Sequence, residues 1–216
     1  MLNVKTFTCN LLSENTYVVS DETLECVIID CGIYFDEERA ALTQYIDSNG
    51  LKPVHLLATH GHFDHNFGID TIYNQYGLQV EVSAEDESLI SNLPKQFQDM
   101  VGAPLRRTYP PVGRLFINDD VIRFGSHELR VLKTPGHTPG GVVFYCEAEH
   151  VAFTGDTLFY MSIGRTDFEG GSYDEMMDSL FGVIAKLPAN TIIYSGHGPK
   201  TTIAQELQYN PYLRKM

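Results

Sequence analysis

A chain that sets Thr-His-Gly-His-Phe-Asp-His directly behind an apolar run has few folds open to it. The run Val54-His55-Leu56-Leu57-Ala58 reads as a buried strand, and residues 59–65 read as a tight loop at its end. Three of the chain's eight histidines fall within positions 60–65, together with Asp64. Imidazoles and a carboxylate are the donors that a borderline divalent ion prefers. Turned inward by the loop, His60 and His62 could grip one ion while Asp64 and His65 face a second beside it. Any further ligands must come from other strand ends brought to this one.

Three later segments repeat one pattern, an apolar strand followed by a small-residue turn with a single metal-competent side chain. Val131-Leu132-Lys133-Thr134-Pro135-Gly136 leads to His137 and on into Thr138-Pro139-Gly140. Val151-Ala152-Phe153-Thr154-Gly155 leads to Asp156, and Ile192-Ile193-Tyr194-Ser195-Gly196 leads to His197. In each case a glycine stands immediately before the ligand-type residue. His55, His127 and His150 lack this context and read as structural. Cys9, Cys26, Cys31 and Cys146 form no C-x-x-C pair, so they read as reduced and partly buried. Cys31, at a strand end beside Gly32, is assigned to packing although it lies near where such a site opens.

The rest of the chain supplies an α/β frame. Residues 4–9, 16–20 and 26–30 read as strands, and Asp36 as the N-cap of a helix running to about Asn49. Pro53 opens the strand before the histidine loop, and Ile69, Ile72, Tyr73 and Tyr76 mark a helix ended by Gly77. A strand at 80–82 and a helix after Ser83 precede residues 92–111, which prolines and glycines mark as irregular, a lid or a surface crossover. Strands follow at 120–124, 127–133, 142–146 and 151–154. Ser172 and Glu175 form a capping box that opens a helix, and a strand at 191–194 and a helix at 201–209 complete the pattern. Strand-rich blocks followed by helices occur twice, which predicts two sheets face to face with helices outside, a four-layer αββα sandwich. The 43% hydrophobic content suits a single domain over 1–216, built of two αβ halves without a linker.

Charge narrows the partners. Fifteen Lys and Arg against 28 Asp and Glu leave −13, a field that repels nucleic acid and anionic membranes. No apolar run approaches the ~18 residues of a membrane span, and no signal peptide is visible, so the expectation is a cytoplasmic protein acting on a small molecule. Nothing in the sequence fixes an oligomeric state.

Taken together, His-x-His-x-Asp-His, Gly-His-Thr-Pro-Gly, Gly-Asp-Thr-Leu-Phe and Ser-Gly-His-Gly-Pro resemble the metallo-β-lactamase-fold hydrolases over nearly the whole chain. Gly164-Arg165-Thr166-Asp167-Phe168-Glu169-Gly170-Gly171 and the run from Gly196 to Thr202 are most similar to small glyoxalase II-like (hydroxyacylglutathione hydrolase-like) proteins. The resemblance implies an αββα sandwich with a two-metal site at its edge. It places His60, His62 and His137 on the first ion, Asp64, His65 and His197 on the second, and Asp156 between them. It implies two divalent ions, zinc first with iron or manganese as alternatives, and attack of a bridging hydroxide on a thioester carbonyl. Asp64 would orient the hydroxide, and a thiolate leaving group, with a pKa of about 8.5, needs little help from an acid.

For the substrate, the resemblance points to Arg165 as the cation for a carboxylate, with a surface salt bridge as its alternative role. Phe168, Phe159 and Tyr160 would wall the pocket. Full-length glyoxalase II continues into a helical domain that supplies much of the thiol-cofactor contact. This chain stops about twenty residues past His197, so glutathione does not follow from the likeness. Related persulfide dioxygenases share the Gly-Arg-Thr-Asp-Phe segment and hold one iron, here at His60 or His62 with His137 and Asp156. A lactonase or other ester hydrolase is a further alternative. β-Lactamases are set aside because they typically carry Cys where Asp156 stands, and RNA nucleases of this fold because of the charge.

Overall fold

In the computed structural model, which describes residues 1–214, apolar alternation along the strands sorts side chains into three buried layers. The last two residues of the expected domain, Lys215 and Met216, lie outside the described residues. The chain begins with β1 (Asn3–Cys9), β2 (Glu14–Ser20) and β3 (Glu25–Ile29), an antiparallel meander. Helix α1 (Asp36–Ser48) then carries it to β4 (Lys52–Leu57), and α2 (Ile69–Tyr76) to β5 (Val80–Ser83). Helices α3 (Glu87–Ser91) and α4 (Leu93–Val101) lead to β6 (Arg114–Phe116). From β3 to β6 the pairing is parallel, which is why each step needs a crossover helix.

The second half opens with the antiparallel run β7 (Val121–Phe124), β8 (His127–Lys133), β9 (Val142–Cys146) and β10 (Val151–Gly155). A short hairpin, β11 (Leu158–Phe159) and β12 (Ser162–Ile163), and helix α5 (Tyr173–Gly182) follow. The chain returns with β13 (Ile192–Ser195) parallel to β10, then β14 (Thr201–Thr202), and ends its described part with α6 (Ile203–Tyr209). The result is two six-stranded sheets.

Period-2 alternation decides which layer each side chain enters. Val18, Cys26, Ile28 and Leu56 point to α1 and α2, where they meet Leu42, Ile46, Ile69 and Ile72. Their neighbours Tyr17, Val19, Val27, Ile29 and Leu57 point the other way, onto Ile122, Val131, Phe144 and Phe153 of the second sheet. That sheet's outer face, with Val143, Tyr145 and Ala152, is covered by Met176, Leu180, Ile184 and Ile203. Helix, sheet, sheet, helix is the four-layer order expected. Phe153 fixes the middle, its ring centroid 5.3 Å from those of both Tyr17 and Tyr194. The four cysteines are buried and unpaired, and desolvation pushes the Cys9 and Cys26 thiols up to about 12 and Cys31 well above its usual value.

Several local expectations need correction. The N-cap of α1 is Phe35, not Asp36, because the Glu38 carboxylate accepts the backbone N–H groups of Phe35, Tyr34 and Asn10 and starts the turn a residue earlier. Residues 92–111 are not irregular throughout, since α4 occupies Leu93–Val101. Pro94 lies in that helix's first turn, where its missing N–H costs no intrahelical bond. The last helix begins at Ile203, because Thr201 and Thr202 pair with β13 and Thr202 Oγ1 caps the helix by accepting Gln205 N–H at 3.2 Å. Strand β6 and the β11–β12 hairpin were not anticipated. Among the described residues no helix is long and apolar enough to cross a membrane.

Candidate metal centre

The ends of β4, β8, β10 and β13 meet at one edge of the sandwich, and each delivers its loop there. Val142 N–H donates to Thr59 O at 2.8 Å, which joins the start of β9 to the histidine loop across the two sheets. Within that loop Asn66 Nδ2 donates to the carbonyls of His60 (3.0 Å) and His62 (2.8 Å), curling it so that alternate side chains face inward. Phe63–His65 completes it as one 3-10 turn. The glycines before Asp156 and His197 are there for close approach. A Cβ on Gly155 would lie 2.2 Å from Thr59 Oγ1, and one on Gly196 would lie 2.4 Å from Asp156 Oδ1.

Seven side chains converge. Donor atoms of His60, His62 and His137 lie within 4.8 Å of one another, and so do those of Asp64, His65 and His197. Asp156 falls between the two groups. Its Oδ2 is 3.4 Å from His137 Nε2 and 3.7 Å from His197 Nε2, while its Oδ1 is 3.3 Å from His65 Nε2. His62 Nδ1 and His137 Nε2 face each other at 2.8 Å, and His197 Nε2 lies 3.4 Å from Asp64 Oδ2.

Outer hydrogen bonds fix which nitrogen of His137, His197 and His65 faces the centre. His137 Nδ1 is 2.7 Å from Arg165 O, and His197 Nδ1 is 3.1 Å from Leu12 O. A carbonyl only accepts, so these nitrogens carry the protons and Nε2 is free to ligate. His65 Nδ1 faces Asp30 Oδ2 at 3.0 Å in the same way. His60 Nε2, His65 Nε2 and Asp156 Oδ1 are buried without a hydrogen-bond partner among the described residues. Leaving such atoms unpaired costs about 1–3 kcal/mol each. Divalent cations at the two groups would satisfy all three, so the residues present fit a metal centre.

Charge is distributed to suit that role. Burial drives His60 well below its usual range, and burial with His137 nearby holds His62 at about 4, so both are neutral at pH 7 as a ligand must be. Burial opposes charge on His65, but the carboxylates of Asp156, Asp64 and Asp30 raise its pKa well above normal. Burial works against ionised Asp156 and Asp64 too, yet the histidines around them hold both pKa values down. Carboxylates and imidazoles here compensate one another's charge.

The expected substrate residues are arranged less simply. Arg165 is tied by Nε and Nη2 to Asp167 at 2.7 and 2.8 Å, and its guanidinium lies 4.0 Å from the Phe168 ring centroid. Its backbone carbonyl, not its charge, touches the centre through His137. Phe168 stands edge-on to His62 at 5.4 Å, and Phe159 edge-on to His197 at 5.9 Å, one ring on each side. Tyr160 is 44% exposed on the hairpin turn beyond Phe159. Three residues outside the predicted ligand set, Asp30, Asn10 and Glu14, also bear on the centre. Asp30 ends the run Val27-Ile28-Ile29 just before Cys31-Gly32, a close cousin of the pattern that exposed the other ligands. Asn10 Nδ2 donates to Asp64 O at 2.9 Å, and Glu14, fully buried, has Oε1 4.0 Å from His65 Nδ1. No spacing marks either of these.

A sequence model described as the metallo-beta-lactamase superfamily matches residues 9–197. The chain is 33% identical over 213 residues to hydroxyacylglutathione hydrolase GloC of Haemophilus influenzae, with 98% of each chain covered. Its fold is similar to the crystal structure of BLEG-1 B3 metallo-beta-lactamase, with a TM-score of 0.90, 34% identity and 100% of both chains covered. TTHA1623 in a di-iron-bound form is also similar, at a TM-score of 0.85 and 31% identity, covering 97% of this chain and 100% of that one.

Proposed function

The chain belongs to the metallo-beta-lactamase superfamily, and on that premise we propose that it hydrolyses a small acyl thioester of the hydroxyacyl-thiol type at a centre for two divalent ions. At the coarser level it is a metal-dependent hydrolase of that superfamily. The observation that carries the two-ion reading is the paired convergence of His60, His62 and His137 on one side and Asp64, His65 and His197 on the other, with Asp156 between, while the thioester class rests on the GloC relative alone. The first three would hold one ion and the second three the other.

When bound, the ions supply the Lewis acidity that makes water nucleophilic at neutral pH and takes up charge on a carbonyl oxygen. The protein's own groups do the rest. Asp64, kept ionised by its histidines, offers an acceptor that orients the attacking water. Phe168 and Phe159 give apolar walls that keep bulk water from the acyl group. A departing thiolate needs no proton from a strong acid, and thiol pKa values of about 8.5 suit a site built of acceptors. Asp167 occupies Nε and Nη2 of Arg165, so an anionic substrate meets that cation at its remaining Nη edge or in competition with Asp167.

The GloC relative supports the thioester class. The test is a panel of S-acyl thiols built on glutathione, coenzyme A and simple thiols, assayed with the protein's metal content measured alongside. Turnover that rises with bound metal and stops with a chelator is expected. Metal-loaded protein that cleaves no thioester would sink the proposal. The likeness to BLEG-1 favours β-lactam cleavage as a second reading, even with Asp156 at the bridging position. A chromogenic cephalosporin turned over faster than every thioester would put that reading first. The di-iron relative leaves iron beside zinc as the metal. One iron per chain with oxygen uptake on glutathione persulfide would replace hydrolysis by the dioxygenase alternative.

A further inference from the structure

The loop that carries His60 and His62 and the loop that carries His137 come from different sheets, yet one side chain holds both. Asp86 ends the short turn Ala84–Asp86 that follows β5, and it is completely buried. Its Oδ2 accepts the Gly61 N–H at 2.8 Å and the Thr138 hydroxyl at 2.7 Å, and its Oδ1 accepts the Gly140 N–H at 2.7 Å. Gly61 lies between His60 and His62, and Thr138 directly follows His137. All three partners donate, so only a group that accepts on both arms satisfies them, and an ionised carboxylate does so.

Sterics tighten the same junction. A Cβ on Gly61 would come within 2.5 Å of Leu89 Cβ and 2.9 Å of Asp86 O, and one on Gly140 would come within 2.6 Å of Asp86 Oδ1. Both loops therefore press directly on Asp86. The residue is not among the converging donors themselves.

We propose that Asp86 is a positioning residue for the first ion: by bonding Gly61 on one side and Thr138 and Gly140 on the other, it sets the distance at which His60, His62 and His137 converge. This rests on the reading of those three histidines as ligands. His62 Nδ1 and His137 Nε2 are 2.8 Å apart, and nothing else described binds their two loops on both sides of the ligand residues through a single group. Outer partners of metal ligands typically govern affinity by roughly 10–100-fold.

The test titrates metal-free protein with Co2+ against a chromophoric chelator, following the Co2+ absorption bands as each site fills. His60→Ala identifies which of the two affinities belongs to the first site. Asp86→Asn keeps the shape but, in either orientation of the amide, sets an NH2 against a backbone N–H. It is expected to weaken the first site by at least about tenfold and to leave the second within about twofold. Thr138→Val removes one of the three bonds and should weaken the same site by about fivefold. Both variants binding both ions as the wild type does would overturn the proposal, and so would an equal loss at the two sites. If Asp86→Asn does not fold, Thr138→Val decides by the same criteria. A wild type that takes up no Co2+ at all would instead sink the two-ion reading on which the proposal stands.

Discussion

Asp30→Asn isolates the electrostatic part of the second ion's site. Asp30 sits at φ +51°, the left-handed region that Asn tolerates nearly as well as Asp, so the backbone need not move. Its Oδ1 accepts Thr59 N–H at 2.7 Å, and its Oδ2 faces the Thr59 hydroxyl at 2.7 Å and His65 Nδ1 at 3.0 Å. An asparagine that keeps its carbonyl on Thr59 N–H must aim its NH2 at the other two. The hydroxyl can rotate and accept, but a His65 ring protonated on Nδ1 cannot. The ring must then lose that bond or carry its proton on Nε2, the nitrogen 3.3 Å from Asp156 Oδ1 that would ligate. A hydrogen bond to a charged group contributes about 1.5–3 kcal/mol, which is roughly ten- to hundredfold in an equilibrium. The assay is chelator competition for each site in turn, with thioester turnover measured at limiting and excess metal. The expected result is a ten- to hundredfold weaker second site, an unchanged first site and partial recovery of turnover in excess metal. A second-site affinity within twofold of wild type, or equal loss at both sites, would refute the reasoning.

Stripping the metal should lower thermal stability, because the orphaned atoms of His60, His65 and Asp156 are then left unpaired. Each ion at a hundredfold over its Kd adds about 2.7 kcal/mol, or about 5.4 for the two, so chelation should lower Tm by roughly 11–22 °C for a chain of this size, and an unchanged melt would count against the ligand set. Phe153→Ala opens a hole between the two sheets where Tyr17 and Tyr194 meet the ring, and should cost about 3–5 kcal/mol in urea unfolding; a loss below about 1 kcal/mol would show that the sheets close over it. His127, remote from the centre, lies 2.9 Å from Asp21 and 3.1 Å from Glu149. Burial opposes its charge, but those two carboxylates raise its pKa. The stabilisation is thus complete below the unfolded value of about 6.5 and is lost as pH rises through the higher folded value. His127→Gln should flatten the decline of stability above that pH, and an identical decline in the variant would remove His127 as its source.

The residues that were legible in the sequence share a physical cause. A ligand at a strand exit needs an apolar run to bury the strand and a small residue where loops crowd together, and both leave a local trace. Gly155 and Gly196 leave that trace because a Cβ at either would strike Thr59 or Asp156. The layer order is legible in the strand-rich blocks followed by helices that occur twice, while the opposite faces of Leu56 and Leu57, neighbours in one continuous apolar run, show only in the packing. Asp86 left no such trace. In Ser83-Ala84-Glu85-Asp86-Glu87 it reads as one more acid at a helix start, and its partners Thr138 and Gly140 are some fifty residues away. Helix α4 leaves no trace for a different reason, since Pro94 reads as a breaker in sequence yet stands in the helix's first turn. Arg165 was read by its charge, while its fixed contribution to the centre is a backbone carbonyl.

The division of the proposed ligands between the two halves also has a meaning in time. His60, His62, Asp64 and His65 leave the ribosome early, and roughly 130 further residues must follow before His197 is made. At about 5–20 residues per second that interval is roughly 7 to 26 s. Through all of it the chain displays an incomplete set of donors, able to touch any passing cation but not to enclose one. Only when β13 docks beside β10 do Asp156 and His197 come to rest on the same side as the early histidines. On the two-ion proposal, the parallel pairing of β13 with β10 is the step that completes the donor set begun by the histidine loop.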